Sequence, residues 1–157
     1  MDAYALLVAA TLNAGTVLAL ASLGLLINEK AGVVNLGAEG MMLCAAIAGF
    51  AAVVHSGSDV LGFLAGMGVG ALLAAVFGVL VIWLNTNQYA TGLALSLFGG
   101  GFSAFVGIGY VQERLPERIR FAIPGLADVP VLGPALFRQH PLTYGAMALT
   151  VALVWFF

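Results

Sequence analysis

Charge is scarce in this sequence, lysine nearly absent and cysteine single, and each shortage excludes something. Only 8% of the residues are charged and 62% are hydrophobic, with a mean hydropathy of +1.10, whereas an ordinary soluble domain carries about a quarter charged residues. So apolar a chain has the lipid bilayer as its partner. The net charge is −2, and every arginine lies in one stretch beside Glu113, Glu117 and Asp128. That leaves no basic patch and speaks against nucleic-acid binding. Lys30 is the only lysine and stands between Glu29 and Ala31, so a G-x-x-x-x-G-K-[ST] phosphate loop has no place and this chain does not itself hydrolyse ATP. His55 and His140 stand far apart, without the spacing of a metal site. No G-x-S-x-G occurs and no Ser, His and acid combine into a triad, so no catalytic residue, metal or cofactor is expected. Cys44 has no partner for an internal disulfide and reads as a buried, inert thiol. The opening MDAYALLVAATLNAG lacks a cationic start and its apolar run is too long for a signal peptide, so it reads as a retained span.

What the sequence does contain is long uncharged runs, at 3–28, 40–58, 60–112 and 139–157. Because about 20 apolar residues cross the hydrocarbon core as a helix, the third run must hold two crossings. The prediction is an all-α, polytopic membrane protein. It forms a single transmembrane domain with about five helices, over 3–27, 36–54, 60–84, 89–111 and 141–157. Residues 112–140 hold Pro116, Pro124, Pro130 and Pro134 together with the arginines, which suits an aqueous loop. Pro141 is a good first residue for the last helix. A span ending on Trp155-Phe156-Phe157, without a polar or cationic anchor, gives the expectation of a truncated chain.

One stretch breaks the apolar pattern. Residues 28–43 read NEKAGVVNLGAEGMML, placing Glu29, Lys30, Asn35 and Glu39 among Gly32, Gly37 and Gly40. On a helix Asn35 and Glu39 would share one face; equally, Asn35 would serve as the N-cap of the second helix and leave Glu39 near the positive end of its dipole. The glycines point to irregular or closely approached backbone, which membranes tolerate only inside protein or beside a water-filled cavity. The segment near 28–40 is therefore expected to be broken or re-entrant. A carboxylate deep in lipid costs on the order of 3 kcal/mol, so Glu39 is expected to face the bundle interior or lie near an interface. Both structural anchoring and a direct role in a solute path are open to it. Residues 85–88, Asn-Thr-Asn-Gln, read as a turn, and Gln88 and Thr91 open the fourth helix toward the same side as the 28–43 stretch if helices alternate.

Small residues recur along two helices. Gly62, Gly66, Gly70, Ala74 and Gly78 follow one another every four positions. That spacing lets helix backbones approach closely in lipid, so this stripe is expected to be a helix-packing face. Gly92, Ser96, Gly99, Gly100, Ser103 and Gly107 give the fourth helix a similar character.

The segment INEKAGVVNLGAEGMMLCAA resembles the signature of permease subunits of bacterial ABC importers in the branched-chain amino acid, ribose and nucleoside group. LNTNQYATGLALSLFGGGFSAFVG and IPGLADVPVLGPALF also resemble the nucleoside and simple-sugar branch of that group. The resemblance spans nearly the whole chain. It implies the N-terminal half of a permease in the cell (inner) membrane. It also implies a substrate path shared with a second permease subunit, a cytoplasmic ABC ATPase and an extracytoplasmic substrate-binding lipoprotein. The resemblance places the 112–140 loop outside and Lys30 and Gln88 inside, against the usual excess of Lys and Arg on the cytoplasmic side. On this reading Asn35, Glu39 and Gln88, with Thr91 and Phe98, line or shape the path for nucleosides or related simple sugars. The alternative is an ion-coupled carrier or small channel using Glu39 as a protonatable group.

Overall fold

A computed structural model describes residues 3–114 and 141–156. Among them are five helices and no strand: α1 (Ala3–Lys30), α2 (Ala38–Ser56), α3 (Asp59–Gly78), α4 (Gln88–Gly107) and α5 (Pro141–Phe156). The chain is an all-α membrane protein. Three of its helical segments, Ala38–Ser56, Asp59–Trp83 and Gln88–Tyr110, are each long and apolar enough to cross a membrane. From residue 115 onward the expected aqueous loop, and with it the IPGLADVPVLGPALF segment, lies outside the described residues.

The chain divides into two compact units. One contains α1 as far as Ile27 and α5. In α1 the hydroxyls of Thr11 and Ser22 turn back on the backbone, donating to Leu7 O (2.9 Å) and Leu18 O (2.8 Å). This hides a polar group within an otherwise apolar helix.

The other unit runs from Asn28 to Pro116. Here α2 is the common partner: it packs against both α3 and α4, which barely touch each other. Its two contact faces follow from where the small residues fall. Ala45, Gly49 and Val53, four apart, meet α3. A Cβ on Gly62 would meet the Val53 side chain and Gly49 O, one on Gly66 would lie 3.1 Å from Ala45 O, and one on Gly70 would lie 3.8 Å from the Ala45 Cβ. Gly37, Gly40 and Cys44 meet α4 at Gly92, Leu95, Ser96 and Gly99. Of the predicted α3 stripe, Gly62, Gly66 and Gly70 therefore lie against α2. Ala74 is exposed, and Gly78 has open space where a Cβ would be.

The ends of the elements have local causes. Ser58 caps α3 by accepting from Leu61 N (3.5 Å), and Asn87 Oδ1 caps α4 by accepting from Tyr89 N (3.0 Å) and Ala90 N (3.1 Å). Helix α3 does not stop at Gly78 but widens into a π-turn over Val79–Trp83, with Leu84 N donating to Val79 O at 3.1 Å. Helix α4 narrows into a 3-10 turn, Ile108–Tyr110. At that end Tyr110 sits edge-on to Phe50, with centroids 6.0 Å apart, and its hydroxyl lies 3.0 Å from His55 Nε2.

Candidate functional site

The 28–43 stretch resolves into a helix end, a short irregular connector and a helix start. Helix α1 continues through Glu29 and Lys30. It ends where Gly32 adopts a left-handed conformation (φ 80°), with Gly32 N donating to Glu29 O (3.0 Å) and Val33 N to Asn28 O (2.9 Å). This pair of bonds satisfies carbonyls that the helix end leaves free, and glycine is the residue that adopts the required φ without strain. The chain then runs without regular structure to Asn35 and turns at Leu36-Gly37 into α2.

Helix α2 begins at Ala38, so Asn35 lies outside the helix and is not its N-cap. Gly37 occupies that position without a side-chain cap. Asn35 acts one turn ahead: its Oδ1 accepts from Gly37 N at 2.9 Å, and its Nδ2 lies 3.8 Å from Met41 Sδ. Asn35 is buried at 8% exposure. Glu39, by contrast, is exposed in the first turn of α2. The face that Asn35 and Glu39 would share on a continuous helix is thus lost, because the backbone between them is not helical throughout.

Below this connector α2 and α4 make their closest approach. A Cβ on Gly92 would lie 2.9 Å from Leu36 N and 3.0 Å from Gly37 N; one on Gly40 would lie 2.6 Å from Ser96 Cα; one on Gly99 would run into the backbone of Gly40. Cys44, 1% exposed, directs its thiol toward Gly99 O at 3.9 Å.

The amides of residues 85–88 take three separate roles. Asn85 holds a left-handed backbone (φ 50°), a conformation that asparagine tolerates better than most residues. Asn87 caps α4. Gln88 reaches across to the first connector, where its Oε1 accepts from Val34 N at 3.0 Å. Thr86 closes the π-turn, donating through both N (3.1 Å) and Oγ1 (2.8 Å) to Leu80 O, and shares a 2.9 Å hydroxyl pair with Thr91.

These connectors enclose an open cavity of about 400 Å³. It is lined by Gly32 and Val33 on one side, Val81 and Ile82 of the π-turn on another, and residues 85–89. Its lining includes residues with amide or hydroxyl side chains, Asn85, Thr86, Asn87, Gln88 and Tyr89, and none with a charged one. It therefore offers hydrogen bonds to an uncharged group and no ionic one. Among the described residues no group of His, Cys, Asp and Glu is placed to hold a metal ion. Of the predicted site residues, the structure brings Gln88 to the cavity, while Asn35 is buried at the end of the first connector, against Gly37 and Met41. Thr91 touches this cluster through Thr86. Phe98 lies further along α4, 53% exposed and stacked on Phe102 at 5.7 Å, and Glu39 does not join the cluster. Gly32 as a helix stop was open to recognition, since a glycine just beyond a lysine in the last helical turn is a common terminus.

The family model for the permease component of branched-chain amino acid transport systems matches residues 7–157. The chain belongs to this family. A protein of Haloferax volcanii, provisionally named as a glucose ABC transporter permease, is 46% identical over 152 residues, covering 94% of this chain and 46% of that protein. The guanosine ABC transporter permease of Bacillus subtilis is 31% identical over 163 residues, covering 96% of this chain and 51% of its own length. A nucleoside ABC transporter permease of Lactococcus lactis subsp. cremoris is 29% identical over 162 residues. The chain spans about half the length of these curated relatives. No solved structure matches it.

Proposed function

We propose that this chain is the N-terminal half of the membrane-spanning permease of an ATP-driven importer, and that it contributes part of the translocation path for nucleosides or related simple sugars. The supporting observation is the character of the cavity lining. A lining with amide and hydroxyl side chains and no charged one suits a neutral, hydroxyl-rich solute. The relatives named for glucose, guanosine and nucleoside transport all fall within that solute class.

On this reading Gln88 and Asn35 shape the path at the two connectors, and Thr91 and Phe98 continue it along α4. Glu39 stands on the exposed side of α2, in its first turn. The partners are a second permease subunit, a cytoplasmic ABC ATPase and an extracytoplasmic substrate-binding lipoprotein. ATP hydrolysis on the separate subunit rocks the helices and alternates access to a weak, selective site.

The test is uptake of labelled guanosine and labelled glucose into vesicles holding the full-length permease with its ATPase and binding protein. ATP-dependent uptake of one of them, lost when the permease is left out, is expected. Uptake that persists without this subunit sinks the proposal.

A further inference from the structure

The connector between α1 and α2 is pinned at both ends by backbone. At its start the paired bonds to Asn28 O and Glu29 O fix Gly32 and Val33, and nothing lies within 4 Å of where a Gly32 Cβ would stand. At its end Leu36 and Gly37 rest directly on the backbone of Gly92. Between these pins one hydrogen bond to another element is formed among the described residues, from Val34 N to Gln88 Oε1, across 54 residues of sequence. A backbone N–H withdrawn from water must find its acceptor within the protein, and the Val34–Gln88 bond is part-buried. Here a side chain supplies it, from the first residue of α4. Gly32, Val33 and Gln88 all line the cavity, so this bond spans its rim.

We infer that Gln88 is a positioning residue, whose side-chain carbonyl holds the connector against α4 and so sets how far the cavity stands open. The solute that benefits rests on the transport reading above; the holding role does not. Losing the bond frees the Val34 N–H and lets the stretch between the two pins move away from α4. A single neutral hydrogen bond is strong enough to keep the connector closed most of the time, yet weak enough to break on each cycle of a moving bundle. Its net value corresponds to about a two- to tenfold change in an opening equilibrium.

The experiment uses the full-length permease with its partner subunits in membranes, carrying Val33→Cys as a reporter at the cavity rim. Cys44 is buried and gives little background from this chain. The rate of modification by a small maleimide is measured with Gln88 intact, with Q88L, which keeps the bulk but loses the acceptor, and with Q88E, which keeps an acceptor oxygen at the same reach. The Q88L rate is expected to rise about two- to tenfold and the Q88E rate to stay near that of the parent. Should Q88L fail to reach the membrane, Q88N gives the same reading, since it retains the amide but falls one methylene short. An unchanged rate in Q88L, or equal acceleration in Q88L and Q88E, overturns the inference. Solute uptake by the parent protein is measured on the same samples. Its absence counts against the transport reading and leaves the labelling result standing.

Discussion

The two faces of α2 make opposite use of small residues. Toward α3 the glycines form a regular series, Gly62, Gly66 and Gly70, but contact loosens along it. A Cβ on Gly62 would overlap a side chain, one on Gly66 would sit 3.1 Å from Ala45 O, and one on Gly70 would make an ordinary 3.8 Å contact. Toward α4 the glycines are irregularly spaced, at 37 and 40 on one partner and 92 and 99 on the other. There backbone meets backbone at both levels. A long stripe therefore marks a helix that inclines gradually away from its neighbour, and a few well-placed glycines mark the true crossing point. The crossing begins at Gly92, which rests against Leu36 and Gly37 at the end of the first connector, so this close packing holds one end of a connector that borders the candidate site.

The sharpest way to break this comparison is Gly99→Ala. The added Cβ meets the Gly40 backbone, which has no rotamer with which to yield, so α2 and α4 must separate. A loss of about 3 kcal/mol or more is expected, read as a fall in membrane-inserted protein and in the thermal midpoint in detergent. A variant with parental stability would show that the crossing is not as close as described.

Gly62→Ala should cost less, about 2 kcal/mol, because its main obstacle is the Val53 side chain. Combining it with Val53→Ala is expected to recover part of the loss, but not all, because Gly49 O still lies 2.9 Å from the new methyl group. The same rescue strategy has no equivalent at Gly99. If the double variant is no better than the single, the α3 face is as rigid as the α4 face and the contrast between them fails.

Asn35→Ala tests the support above the crossing. It removes the acceptor for the buried Gly37 N–H, for an expected cost of about 1 kcal/mol or somewhat more. Faster hydrogen exchange confined to residues near 35–37 is the accompanying sign. A change spread evenly over α2 would mean that Asn35 holds the whole helix rather than its entry turn.

How far the sequence could lead is visible in these same residues. The apolar runs produced the helices because length and hydropathy act locally, and the four-residue glycine spacing on α3 indicated close packing because periodicity sets which residues share a face. Asn35 was harder. Its chemistry as a backbone acceptor was legible, but its register was not, because the irregular Val33–Asn35 backbone delays α2 to Ala38. Glu39 nevertheless falls in the first turn of α2, near the positive end of its dipole, as one of the two readings had it. The Gln88 bond to Val34 left no local trace, since its donor is a main-chain N–H that every non-proline residue offers, brought near only by the packing of α4 on α2. Gly99 and Gly100 show the same limit in miniature: adjacent and chemically identical, one is closed against Gly40 and the other has nothing within 4 Å.

Gly78→Ala carries the comparison to its small end. Gly78 completes the α3 stripe by spacing, yet it has open space where a Cβ would stand and an ordinary right-handed helical backbone (φ −60°). Replacing glycine with alanine at an unobstructed helical position removes backbone freedom from the unfolded chain without creating a clash. A gain of up to about 1 kcal/mol is expected, measured as a slightly higher thermal midpoint. The same substitution in the full-length permease then acts as a probe of what covers this face. A neutral or favourable effect there means that the stripe stops working after Gly70 in the complete protein as well. A loss comparable to that of Gly62→Ala means that another helix closes on α3 beside the π-turn, making the regular spacing a single packing face with two successive partners.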